Sequence, residues 1–150
     1  MPNLSLDTPV GRLTLVEEAG AIVRVFWGGE GGDVTPLLVA ARDQMLAYFD
    51  GRLTRFDLPL RIAGTESQRR VCAAMQAIPF GETRRYGDLA RELGLSAQAV
   101  GRLCGRNPIP VIVPCHRVLG AAGLGGYSGQ GGIETKVALL RHEGAAGLLI

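Results

Sequence analysis

Residues Gly87–Cys104 read GDLARELGLSAQAVGRLC. Two short helical segments, Gly87–Leu93 and Ala97 to about Cys104, flank the turn Gly94-Leu95-Ser96. Paired helices around a glycine-containing turn are the pattern of a helix-turn-helix, whose second helix reads a groove of DNA. Any helical hairpin produces this pattern, so its surroundings must add weight. Residues 1–62 hold six arginines against eight acidic residues, a balance of −2. Residues 63–150 hold nine arginines and one lysine against six acidic residues, a balance of +4. The basic half is nearly all arginine, which suits phosphate contact and points the hairpin toward DNA. On charge alone, a solvated arginine-rich surface explains the asymmetry equally well.

The totals exclude several classes. At 150 residues, 47% hydrophobic and 20% charged, with mean hydropathy +0.18, the chain reads as soluble and globular. No apolar run approaches the roughly 18 residues of a membrane span. The start, MPNLSLDTPVGRL, lacks a basic region followed by an apolar one, so the expected location is the cytoplasm. Cys72, Cys104 and Cys115 form an odd, widely spaced set without a C-x-x-C pair, expected as reduced thiols and not as a disulfide framework.

Upstream, LSLDTP, GRLTLVEE and AIVRVFW alternate as three strands joined by short turns. The glycines of residues 28–33 precede no phosphate-binding helix and earn no nucleotide role. Thr35-Pro36 starts a helix that ends at Asp50-Gly51, with Leu38, Arg42 (by its stem), Met45, Leu46 and Phe49 on one face. Phe56–Leu60 is expected as a further short strand. Thr65–Gln68 opens the basic half, with Ser67 or Thr65 capping a helix to about Ala77 that turns Val71, Met75 and Ile78 inward. A last helix is expected at Ile133–His142, with Ile133, Val137 and Leu140 inward. The expected fold is α+β: a small antiparallel sheet with a helix in residues 1–62, then a helical helix-turn-helix domain in residues 63–150.

The chemistry concentrates in Val111–Val118, VIVPCHRV. Prolines and β-branched residues predict an extended backbone here. Cys115 beside His116 is a nucleophile, half of a metal site, or a packed thiol. A thiolate is a strong nucleophile once a neighbouring imidazole removes its proton. The histidine then needs an orienting carboxylate, for which Glu143, Glu134 and Asp88 are all candidates. A metal site is disfavoured, because adjacent side chains diverge in an extended segment and only His142 and two distant cysteines remain as ligands. Cys72 and Cys104 are expected to be packed.

Four motifs in register carry a resemblance. Asn107-Pro-Ile-Pro-Val-Ile-Val-Pro-Cys115-His-Arg-Val, Gly126-Tyr-Ser-Gly129, Leu139-Leu-Arg-His-Glu-Gly144, and Ile78–Thr83 with Tyr86–Ala90 resemble the methylated-DNA–protein-cysteine methyltransferases. The likeness spans roughly residues 65–144; the N-terminal sheet is compatible in length and pattern. It implies a ribonuclease H-like N-terminal domain and a winged-helix-like second domain. It also implies irreversible, stoichiometric transfer of a methyl or other alkyl group from O6-alkylguanine in double-stranded DNA, and leaves open whether O4-alkylthymine is a second substrate. Cys115 would accept the alkyl group, His116 would act through water as its base, and Glu143 would orient His116. Asn107 would hold the turn and the thiol. Tyr86 would donate a proton to the departing guanine, Tyr127 and Ser128 would form a lid, and Val118 would line the pocket with backbone groups. The recognition helix would enter the minor groove, with Gln98, Ala99, Arg102, Arg106 and Arg85 contacting DNA. No cofactor, metal or membrane is implied, and the working unit is a monomer.

The chain departs from the family pattern at several positions. Gln98 stands where arginine usually props the stack open, and it lacks the planar charged fork of a guanidinium. Arg85 replaces a small hydroxyl residue, Ser67 and Cys72 replace bulky aromatics, and Gln130 adds a polar group to the lid. Two alternatives stay open: a lesion sensor that binds without repairing, and a helix-turn-helix regulator in which Cys115 senses alkylation or redox state.

Overall fold

The computed structural model describes residues 1–127 and 129–147. The chain forms two compact units, Met1–Ile62 and Ala63–Ile150.

In the first unit, β1 (Asn3–Thr8), β2 (Gly11–Glu18) and β3 (Ala21–Trp27) form an antiparallel meander in that order. Glu18 pairs with Ala21, so Ala19 and Gly20 alone make the second turn. Their φ values of 48° and 80° match the twist that favours two-residue hairpins with both central residues left-handed. Helix α1 (Pro36–Phe49) is capped by the Thr35 hydroxyl, which accepts from Leu38 N–H at 3.1 Å. Its buried face is Leu38, Ala41, Met45 and Tyr48. This corrects the expected stripe: Leu46 is 40% exposed, because Ala41 and Tyr48, not Arg42 and Phe49, continue the 3-4-3 spacing from Leu38. The strand expected at Phe56–Leu60 shrinks to one parallel bridge between Leu60 and Ile22. Pro59 has no N–H to extend the ladder; its carbonyl accepts from Ile22 at 2.8 Å.

In the second unit, α2 (Glu66–Gln76) begins at Thr65, whose hydroxyl accepts from Gln68 N–H. Helix α3 (Tyr86–Leu93) ends on Gly94 at φ 70°, and Ser96 caps α4 (Ala97–Gly105) by accepting from Ala99 N–H at 3.0 Å. The two helices pack together across this turn, burying Leu89 and Ala90 on α3 and Val100 and Leu103 on α4, and so complete the helix-turn-helix. The Gln68 amide donates to the Leu103 carbonyl at 3.0 Å and ties α2 to α4. Two short parallel strands, β4 (Arg84–Arg85) and β5 (Val118–Leu119), lie either side of the hairpin in sequence. Helix α5 (Ile133–Glu143) buries Thr135, Lys136, Leu139, Leu140 and Glu143. Ile133, expected inward, is 43% exposed, and Val137 is half-buried. The face pointing inward carries a lysine and a glutamate, which an apolar stripe does not reveal.

A candidate active site built on a strained turn

The segment between α4 and Cys115 is not extended, contrary to the expectation from its prolines. Val113 N–H donates to Ile109 O at 2.9 Å, and Pro110 bridges Val113. Val111 takes φ 71°, a left-handed conformation that costs a β-branched residue about 1–3 kcal/mol. Asn107 holds the turn from within: its amide donates to Val113 O at 2.8 Å, and its side-chain oxygen accepts from Ile109 N–H at 3.0 Å. Ile109, Val111 and Val113 are buried, so packing keeps the strained backbone in place. Cys115–Arg117 then form a single 3₁₀ turn that delivers the thiol, imidazole and guanidinium in three directions.

The His116 side chain is fully buried, and its Nε2–H donates to Glu143 Oε2 at 2.8 Å. Glu143 is thus the carboxylate that meets the histidine. Asp88 instead accepts from the Arg85 N–H at 2.9 Å and starts α3, and Glu134 is exposed. Glu143 is also gripped by Arg117, whose Nε and NH2 donate to Oε1 and Oε2 at 2.8 Å each. Arg117 NH1 donates to Ile78 O at 2.6 Å. The buried carboxylate is therefore neutralised by arginine, and the imidazole has no need to be charged. Burial pushes His116 below its usual 6.5, while the hydrogen bond and charge of Glu143 only partly oppose it. With Nε2 protonated, the lone pair sits on Nδ1, which is buried and meets no hydrogen-bond partner among the described residues.

Cys115 is 6% exposed, and burial pushes its thiol above 9.0, against the hydrogen bond from Asn107 and the charge of Lys136. It opens onto a cavity of about 360 Å³ lined by Tyr86, Gly101, Cys104, Gly105, Gly126 and Tyr127. The wall from α4 is almost without side chains: a Cβ added to Gly101 or Gly105 would meet nothing within 4 Å. Burial, then the nearby thiols Cys104 and Cys115, push Tyr86 up to about 12, so it stays protonated. Tyr127 is raised further by burial and by facing Cys115. Cys104 is packed as expected, and it also borders the cavity; burial pushes it up to about 12.

The structure thus sets Asn107 against the Cys115 thiol and Glu143 against the adjacent His116, and Tyr86 and Tyr127 line the cavity with Cys115. Val118 is buried outside the cavity wall, and its carbonyl accepts from Lys136 Nζ at 2.6 Å. Ser128 lies outside the described residues. On α4, Gln98 and Arg102 are exposed and Ala99 is half-exposed, and Arg106, at the C-cap, is exposed. Arg102 and Arg106 make no salt bridge among the described residues. Arg85 is exposed, but its NH1 donates to the carbonyls of Gly120 and Ala121 at 2.6 and 2.8 Å.

Two buried cations beside the site, Arg117 and Lys136, escaped the sequence reading. Arg117 was hidden inside the Cys-His-Arg string. Lys136 is fully buried, and its Nζ also donates to Gly126 O at 3.0 Å and lies 5.8 Å from the Tyr86 ring centre. For Lys136 the signal was its position: the lone lysine of the basic half falls on the buried side of a helix. Among the described residues, no cluster of His, Cys, Asp and Glu is arranged to hold a metal ion.

A buried cysteine beside a histidine that donates to a buried glutamate, in the same unit as a helix-turn-helix, points to a class: thiol group-transfer proteins that work on DNA. Comparison with known proteins narrows it. The family described as 6-O-methylguanine DNA methyltransferase matches in two parts, the ribonuclease-like domain over residues 4–62 and the DNA binding domain over residues 66–145. A methylated-DNA–protein-cysteine methyltransferase of Mycobacterium tuberculosis is 43% identical over 154 residues, covering 93% of this chain and 90% of the relative. The constitutive enzyme of that name from Bacillus subtilis is 38% identical, covering 91% and 92%. Among solved structures, M. tuberculosis OGT in complex with DNA superposes with TM-score 0.86 at 43% identity, covering 96% of this chain and 93% of that one. The chain belongs to the methylated-DNA–protein-cysteine methyltransferase family.

Proposed function

We infer that this protein repairs DNA by transferring a methyl or other alkyl group from the O6 of guanine to Cys115, once per molecule. The observation that carries this reading is the Arg117–Glu143–His116 chain ending in an unpartnered, buried Nδ1 one residue from a buried thiol. His116 Nδ1 takes the thiol proton through water, and Glu143 faces the imidazolium that forms. The sulfur attacks the alkyl carbon, the carbon–O6 bond breaks, and guanine leaves with a proton from Tyr86. The product is a thioether, a poor leaving group, so no step restores the thiolate and no cofactor is consumed.

The target oxygen lies inside a duplex, so the nucleotide must leave the stack, at a cost of about a few kcal/mol. The glycine wall of α4 gives the flipped base room, and Gln98, Ala99, Arg102 and Arg106 lie along that helix as its contacts to the duplex. Tyr127, which lines the cavity beside Cys115, closes the pocket over the alkylated oxygen. Each chain carries its own thiol, base and recognition helix, so a monomer suffices. Among the described residues no helix is long and apolar enough to cross a membrane, and three free thiols suit a reducing compartment that holds DNA, the cytoplasm. A sensor that only binds the lesion has no use for the buried base beside Cys115.

The test is direct. The protein is incubated with a duplex carrying one O6-methylguanine, then analysed by intact mass and peptide mapping. One added methyl on Cys115, with loss of the lesion, is the expected result. Lesion binding without a mass change refutes the reading, and Cys115→Ser is expected to abolish transfer while binding persists.

A further inference from the structure

We propose that Arg85 is a positioning residue that holds the pocket-closing loop over the reactive thiol; the proposal rests on the alkyl-transfer reading above. Residues 120–126 contain four glycines and adopt no helix or strand. Among the described residues, no backbone hydrogen bond outside the β4–β5 pairing involves them. Two side chains do the holding. Lys136 ties Val118 O to Gly126 O and so clips the two ends of the loop together. Arg85 takes the entry: its backbone pairs with Leu119, and its guanidinium reaches one step further to the carbonyls of Gly120 and Ala121.

The next residue, Tyr86, meets the exit of the same loop. Gly125, at φ 73°, sits so close that a Cβ there would come within 3.1 Å of the Tyr86 ring. Arg85 and Tyr86 thus grip opposite ends of one turn of chain, and the residue that follows Gly126 is Tyr127, which faces Cys115. Freed at its entry, a glycine-rich loop regains many conformations, and the fraction that presents Tyr127 correctly falls. A small hydroxyl residue at position 85 lacks the reach to do this. The same guanidinium, if spent on a DNA phosphate, would have to leave these carbonyls, so the two roles are separable.

The experiment compares wild type, Arg85→Ser and Arg85→Lys. The first arm uses a free O6-alkylguanine base, which has no phosphate, and follows Cys115 alkylation by intact mass. Arg85→Ser is expected to react about tenfold more slowly, the effect of about 1.4 kcal/mol in the barrier. The same loss is expected at saturating protein on a lesion duplex, with partial rescue by Arg85→Lys and unchanged affinity for undamaged duplex. Full speed on the free base, with weaker duplex binding and a salt slope shallower by about 0.9, overturns the proposal in favour of a phosphate contact. The second arm needs no substrate: amide hydrogen exchange in residues 120–126 is expected to quicken in Arg85→Ser while α3 and α4 keep their protection. Unchanged exchange in the loop also overturns it. A wild-type protein that transfers nothing defeats the proposed function, and the exchange arm still decides the role of Arg85.

Discussion

Glu143→Gln is the substitution that asks most of the buried network. The change is nearly isosteric, yet it removes the carboxylate that pairs with Arg117, a residue 7% exposed. Arg117 would retain the Ile78 carbonyl and lose both charged partners on Glu143. Removing one member of a buried ion pair costs about 3–5 kcal/mol, since the survivor stays desolvated and uncompensated. For a unit of this size about 1 kcal/mol moves the midpoint by at least about 4 °C, so a drop of about 12 °C or more is expected. Arg117→Met takes the guanidinium away from Glu143 and leaves the carboxylate facing His116, which draws a proton onto the imidazole. The double variant buries neither charge, and the cycle should show it less destabilised than the sum of the singles by about 2–3 kcal/mol. Thermal and urea unfolding measure this. Transfer should not recover with stability: the imidazolium in the double variant has no carboxylate to face, and a loss of about a hundredfold or more is expected in single-turnover kinetics. A Glu143→Gln cost below about 1 kcal/mol, additive with Arg117→Met, refutes the reasoning.

Other expectations follow from the same geometry. Because burial depresses His116 below 6.5, the folded form resists protonation more than the unfolded chain does. The group's contribution to stability is therefore complete above 6.5 and is lost as pH falls below it, and a pH series of unfolding should show that sign. The transfer rate should hold its plateau to below pH 6.5 and fall only in more acid solution; a plateau ending above 6.5 contradicts a neutral buried base. Gln98→Arg places a charge on the exposed face of α4, so duplex affinity should rise and its salt slope steepen by about 1 in titrations at several salt concentrations. Lys136→Met removes both clips on the glycine-rich loop, so hydrogen exchange in residues 118–126 should quicken and transfer should slow.

What the sequence disclosed, and what it hid, divides along physical lines. The three-stranded meander, the caps and the helix-turn-helix were legible because they depend on local chemistry: Thr35, Thr65 and the Gly94–Ser96 turn act within a few residues of themselves. The faces of α1 and α5 were harder. An apolar stripe counts large side chains, whereas α1 turns on small Ala41 and α5 buries Lys136 and Glu143 for their charge. The turn before Cys115 misled because proline and valine favour extension locally, while Asn107, six residues upstream of Val113, overrules them from a distance. Glu143 was one of three candidates from composition alone and was singled out by family likeness. Its partner Arg117 could not be seen, since pairing across 26 residues leaves no mark in spacing.

The resting state of Cys115 runs against the usual expectation for a reactive cysteine, which sits exposed in an electropositive pocket with a lowered pKa. Here burial keeps the thiol protonated, and the lysine nearby only tempers that effect. For a catalyst that turns over, this would waste rate at every cycle. For a nucleophile used once, an exposed thiolate would be consumed by the first soft electrophile to arrive, and nothing could restore it. On the proposed function, storing the thiol protonated, with a neutral base held ready on a neutralised carboxylate, defers ionisation until an alkylated base fills the cavity and the proton can be relayed. The Arg117 grip on Glu143 is what permits this, because an unpaired glutamate would charge the histidine in advance. On this argument, Arg117→Met should make Cys115 more reactive toward small electrophiles in the absence of DNA, and alkylation by iodoacetamide followed by mass spectrometry measures it. Slower labelling than wild type would show that the arginine serves the fold alone.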